Sequence, residues 1–163
     1  MNKLEIAAKY LLDNLPPDRK LTLKKMIQLL YFADWKYTLE FGKSLTDVDW
    51  EFEQLGPTSE QAIAIIKESD VIDVNYSLNK FGSNREKVSL KNNSSIQELT
   101  ETEKAILEEV LKKSLSIDWQ EFTVDIFGTY PISNATKYGK LNLQSLAQEY
   151  KRKCNEIMKI ISL

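Results

Sequence analysis

Asp34 is the residue whose setting most resembles that of a working carboxylate. It falls between Leu30 and Tyr37, in the middle of an apolar helical stripe. Taking an isolated carboxylate out of water there is costly unless a donor or cation meets it. Either a tyrosine hydroxyl, a lysine or a backbone N–H satisfies Asp34 inside the fold, or that turn of helix lines a groove. Other carboxylates come in pairs, Asp47/Asp49 and Glu51/Glu53, on what alternation marks as the solvent face of a strand. Paired carboxylates can hold metals or cleave glycosides only where they converge. On a strand's wet face they read instead as a charged edge that discourages stray pairing.

The rest of the chemical inventory is thin. The 163 residues include no histidine and one cysteine, so a thiolate would lack the usual imidazole base. Cys154 sits on the stripe Leu143, Leu146, Ala147, Tyr150, Cys154, Ile157, Ile161, which reads it as a small buried hydrophobe. Five scattered glycines form no phosphate-cradling loop. We therefore expect no catalytic set, no metal and no cofactor. The residues describe a protein that binds something.

Aromatic side chains say where. Along the helix from about Leu23 to Phe41, a step of about 100° per residue separates two apolar stripes. Leu23, Met26, Ile27, Leu30, Tyr37 and Phe41 form one, while Phe32, Trp35 and Leu39 point nearly the opposite way. Such a helix is either central in the fold or offers its second face to a partner. The candidate partner-binding residues are Tyr31, Asp34, Trp35, Lys36, Gly56, Pro57, Tyr130 and Pro131. Trp35 itself is expected to pack inward, with the contact rim near Lys36, Gly56 and Tyr130.

The elements that must position these residues read as an α+β, mainly α fold of five to six helices and a small antiparallel sheet. A first helix spans about Lys3 to Asn14 and is stopped by Pro16-Pro17. Thr22 caps the second helix, and Gly42 stands where a left-handed residue would end it. Val48, Trp50 and Phe52 alternate with charged residues in a strand near 48–53, which Gly56-Pro57 ends. A third helix begins near Thr58 or Ser59. Alternation resumes in a hairpin near 71–91, with a polar turn over 79–84. A polar connection, 91–95, leads to a capping box, Thr100 with Glu103, and a helix over about Glu101 to Leu115. On its outer face Glu108–Lys112 and Glu109–Lys113 are spaced for i,i+4 pairs. Asp118 caps a short helix ended by Gly128, residues 129–134 form a loop, and Asn142 caps a long last helix. No boundary divides the chain, which reads as one domain over 1–163.

Net charge is −2 and the pI about 5.4, so no global field draws the chain to nucleic acid or anionic lipid. The basic clusters Arg19-Lys20, Lys24-Lys25 and Lys151-Arg152-Lys153 are short, and none makes a recognition helix. No apolar run approaches the ~18 residues of a membrane span, and the N-terminus lacks the apolar core of a signal peptide. We expect a cytoplasmic protein.

The ordered set Leu23-Lys24-Lys25-Met26-Ile27-Gln28-Leu29-Leu30-Tyr31-Phe32-Ala33-Asp34-Trp35, then Phe41-Gly42-Lys43-Ser44-Leu45 and Leu55-Gly56-Pro57, resembles the Panacea domain. This is the SocA-like family of bacterial and phage-associated antitoxins. Tyr130-Pro131 ahead of Leu141-Asn142-Leu143 resembles the family's C-terminal segment. Where the family has an aromatic and Gly-Pro-Val, this chain has Leu55-Gly56-Pro57-Thr58. The resemblance implies a mainly helical antitoxin of a toxin–antitoxin system. Such a protein binds and neutralises a cognate toxin encoded beside it, either directly or as an adaptor that delivers the toxin to a protease. A DNA-binding autoregulator of its own operon is the alternative, and a carboxylate-dependent hydrolase working through Asp34 is a third class.

Overall fold

The computed structural model describes residues 2–78, 80–82, 84–91 and 98–162. Among them are seven helices and six short strands, an α+β fold that is mainly α. The first helix, α1 (Lys3–Asp13), starts at Asn2, whose side chain accepts the Leu4 N–H at 2.7 Å. A two-residue strand β1 (Leu21–Thr22) runs directly into α2 (Leu23–Phe41), and Thr22 Oγ1 accepts the Lys25 N–H as the expected N-cap. Gly42 closes α2 at φ 71°, a left-handed conformation that glycine adopts without steric cost.

Next come β2 (Trp50–Glu53), β3 (Gly56–Thr58), α3 (Glu60–Lys67), β4 (Ile72–Leu78) and β5 (Asn84–Leu90). They are followed by α4 (Glu101–Ser116), α5 (Trp119–Phe127), α6 (Tyr130–Ser133), β6 (Gly139–Leu141) and α7 (Leu143–Ile161). The strands build two antiparallel three-stranded sheets, in orders β1-β5-β4 and β3-β2-β6. The 72–90 hairpin is the expected one, with Val74 facing Val88 in the register. Position 83 of its turn, 79, and 92–95 of the polar connection lie outside the described residues.

Helix α2 is the centre of the molecule. It packs on α1, α3, α4 and α7 and touches β1, β3 and β5, which is why both of its stripes are buried except towards its C-terminal end, where Leu39 is half-buried and Phe41 exposed. The capping box at Thr100 and Glu103, the Asp118 cap and the Asn142 cap all form as expected.

Several local readings change. The strand begins at Trp50, and Gly56-Pro57 is itself a strand rather than a break: Phe52 faces Pro57 and Glu53 faces Gly56. Proline fits because β3 is an edge strand, where a missing N–H costs no ladder bond. Residues 130–133 form a helical turn rather than a loop, with Pro131 in its first turn, the position where proline is tolerated. The outward charges of α4 reach across to other helices. Lys36 pairs with Glu109 at 2.6 Å, Lys113 with Asp125 at 3.4 Å, and the Tyr10 hydroxyl donates to Glu108.

Candidate functional site

Asp34 is fully buried, and all its hydrogen-bonding capacity is spent on the protein. Its Oδ1 accepts the Leu45 N–H at 2.8 Å and the Ser44 hydroxyl at 3.1 Å. Its Oδ2 accepts Trp50 Nε1–H at 2.9 Å and the Thr46 hydroxyl. A carboxylate with donors on both oxygens is stable without water. Here it ties the 44–46 loop and strand β2 to the middle of α2, and it has no free face for a substrate. Among the described residues, no group of three or more acidic or cysteine side chains could hold a metal ion.

Two more candidates belong to the core. Tyr31 is fully buried; its hydroxyl shares a hydrogen with Thr129 Oγ1 at 2.9 Å, and its ring meets Trp50 edge-on at 5.6 Å. Burial pushes that hydroxyl well above the ordinary tyrosine pKa, with the Asp34 charge adding to the shift. Trp35 is buried as well, and its ring lies 6.3 Å from that of Tyr150 on α7.

The remaining candidates occupy three separate surroundings. Lys36 bonds Glu109, lies over the Phe32 ring, and borders a shallow hollow with Leu39 and Ile106. Gly56 and Pro57 border a larger hollow at the N-terminal end of α2, together with Gln28 and Trp119. The Tyr130 ring meets that of Tyr150 at a tilt, 5.2 Å between centres, under the Lys153 ammonium, while Pro131 is buried. Lys36 and Gly56 border different hollows, and Tyr130 sits in a third setting with Tyr150 and Lys153. Tyr130 and Trp35 do share a neighbour, Tyr150.

That neighbour leads to a feature the sequence reading placed inside. Only Leu143 and Ala147 of α7 are buried. From Lys151 to Ser162 every residue but the half-buried Cys154 is exposed. Ile157, Met158, Ile160 and Ile161 are each more than half exposed. On a regular helix Tyr150, Ile157 and Ile161 fall within about 40° of one another, with Ile160 and Met158 on their flanks. Arg152 and Lys159 occupy the other side, Lys151 stands beside Met158, and all three are exposed. Cys154, on the same stripe as Tyr150, lies close enough to raise the Tyr150 hydroxyl pKa. The stripe is core at Leu143 and Ala147, as expected, but its outer part, beyond Tyr150, is an apolar ridge continuing outward from the Trp35–Tyr150–Tyr130 cluster.

Among the described residues no helix is long and apolar enough to cross a membrane. A family model described as antitoxin SocA-like, Panacea domain, matches residues 26–124, from the first turn of α2 into α5. Neither a curated protein nor a solved structure matches the chain.

Proposed function

We propose, from the fact that the chain belongs to the antitoxin SocA-like Panacea family, that it binds and neutralises a protein toxin encoded beside it. The observation that carries a protein partner is the apolar ridge of α7. Four large aliphatic side chains stand in water on one helix, next to a tyrosine pair. Isolated exposed apolar residues are ordinary, but a continuous stripe of this kind is what helix-in-groove recognition uses. Tyr130 and Tyr150 add area at low entropic cost, as interface tyrosines do. The ridge lies outside the segment matched by the family model, so it is a place where one member can differ from another in partner choice. This reading assigns the chain no reaction: Asp34, the best-placed carboxylate, is occupied by its own loop and strand.

The test is co-expression with each small adjacent reading frame. The expected result is rescue of growth, with co-purification of the toxin. Ile157→Asp with Ile161→Asp should abolish both while leaving the circular dichroism spectrum unchanged, because both side chains are exposed. Inhibition of the purified toxin by the purified chain alone supports direct neutralisation, and rescue only in cells carrying a protease supports the adaptor route. If no adjacent product is toxic, or the double variant rescues like the original, the reading fails.

A further inference from the structure

The hollow at the start of α2 is built differently from the α7 ridge. It encloses about 730 Å³, a volume typical of small-molecule sites. Four cations border it, Lys24, Lys25, Lys67 and Arg85, against the two carboxylates Glu53 and Glu86. Lys67 and Glu86 face each other at 3.4 Å. Among the described residues Lys24, Lys25 and Arg85 have no carboxylate within ion-pair distance. On a chain of net charge −2, this is a local excess of positive charge.

Inside the same hollow lies a buried polar group without a partner. Gln28 is only 2% exposed, and its Oε1 accepts no hydrogen bond. A buried amide oxygen left without a donor is rare in folded proteins. Gly56 borders it at φ 115°, and a Cβ there would sit 3.5 Å from Gln28 Nε2 and 3.4 Å from the Phe127 ring. The missing side chain leaves that space open. Trp119 stands at the border with the Lys25 ammonium 4.9 Å from its ring centre, and Leu23 and Ile27 supply apolar lining.

We infer that this hollow is a binding site for a nucleoside monophosphate. Its phosphate lies between Lys25 and Arg85, a base or sugar N–H or O–H donates to Gln28 Oε1, and its ring lies on the apolar lining beside Trp119. The three features each answer one part of such a ligand. Burial, and then the charges of Arg85 and Arg19, hold the Lys25 ammonium below the usual lysine range; an anion in the hollow relieves that repulsion. The inference is independent of the toxin reading and does not use α7.

Titration calorimetry of the full chain tests it with the four common ribonucleoside monophosphates, their nucleosides, inorganic phosphate and a hexaglutamate peptide. At least one monophosphate should bind saturably, and more tightly than its nucleoside or inorganic phosphate. Arg85→Gln, at an exposed position, should weaken it about tenfold, as loss of one charge-assisted bond does. Gln28→Leu should weaken the nucleotide similarly and leave inorganic phosphate unchanged. The inference is overturned if no monophosphate binds, if inorganic phosphate binds as tightly, if hexaglutamate binds more tightly than any nucleotide, or if both variants, with unchanged circular dichroism, bind like the original.

Discussion

Four donors converge on one carboxylate at Asp34: the Ser44 and Thr46 hydroxyls, the Leu45 N–H and the Trp50 indole N–H. Removing the acceptor strands the buried ones, and each unsatisfied group costs about 1–3 kcal/mol. Asp34→Leu should therefore lower unfolding free energy by about 3 kcal/mol or more in urea titrations at pH 7; a loss under about 1 kcal/mol would mean that water reaches the donors. Tyr10 makes a second case at this scale. Burial, and then the bond to Glu108, raise its hydroxyl pKa from 10.0 to about 12. A raised acid is held neutral by the fold, so its contribution is complete below pH 10 and is lost as pH climbs towards 12. Tyr10→Phe should be less sensitive to alkali across that window, as measured by melting temperature at pH 9, 10 and 11. Equal slopes for the two proteins would refute the assignment.

At the scale of elements, Gly56 decides whether the β2–β3 hairpin can close. Its φ of 115° suits glycine and not an L side chain, while an added Cβ meets Phe127 and Gln28 only at ordinary contact distance. Gly56→Ala should then cost about 1–3 kcal/mol through backbone strain alone, read as a drop in melting temperature without a change in far-ultraviolet spectrum. The helices other than α6 were legible in the sequence because their caps are local, whereas α6 has no side-chain cap. Thr22, Ser59, Thr100, Asp118 and Asn142 each accept the backbone N–H three residues on, so side chain and consequence lie side by side. Strands β1 and β6 were not legible. Two or three residues carry no period, and their partners, Val88 and Trp50, are far away in sequence. The inward packing of Trp35 was visible, but its link to Tyr130 through Tyr150 and the exposure of α7 were not. An apolar stripe records which side of a helix is greasy; whether anything covers it depends on how far α2 and α6 extend beneath it.

Over the whole molecule, α2 plays the part of a shared spine. Both sheets and four other helices lie against it, and its own residues supply much of one continuous core. We expect one cooperative unit over the chain. The tryptophans sit on three different elements, α2, β2 and α5, so their fluorescence samples the structure broadly. Urea transitions followed by tryptophan fluorescence and by far-ultraviolet circular dichroism should coincide, as they do for a two-state domain. A separate early transition in either signal would divide the chain into independent parts.

The pairing of Trp50 with Leu141 also bears on the order of events during synthesis. Until residue 141 has left the ribosome, β2 has a neighbour on one side only, and the Phe52 ring lacks Tyr138, one of its two aromatic neighbours. Some 90 residues separate the two strands, which at about 5–20 residues per second is roughly 5–20 s of translation. Through that interval the nascent chain carries an open strand edge. Helix α7 follows directly on the strand that closes the sheet, so the sheet is completed only as the apolar ridge emerges.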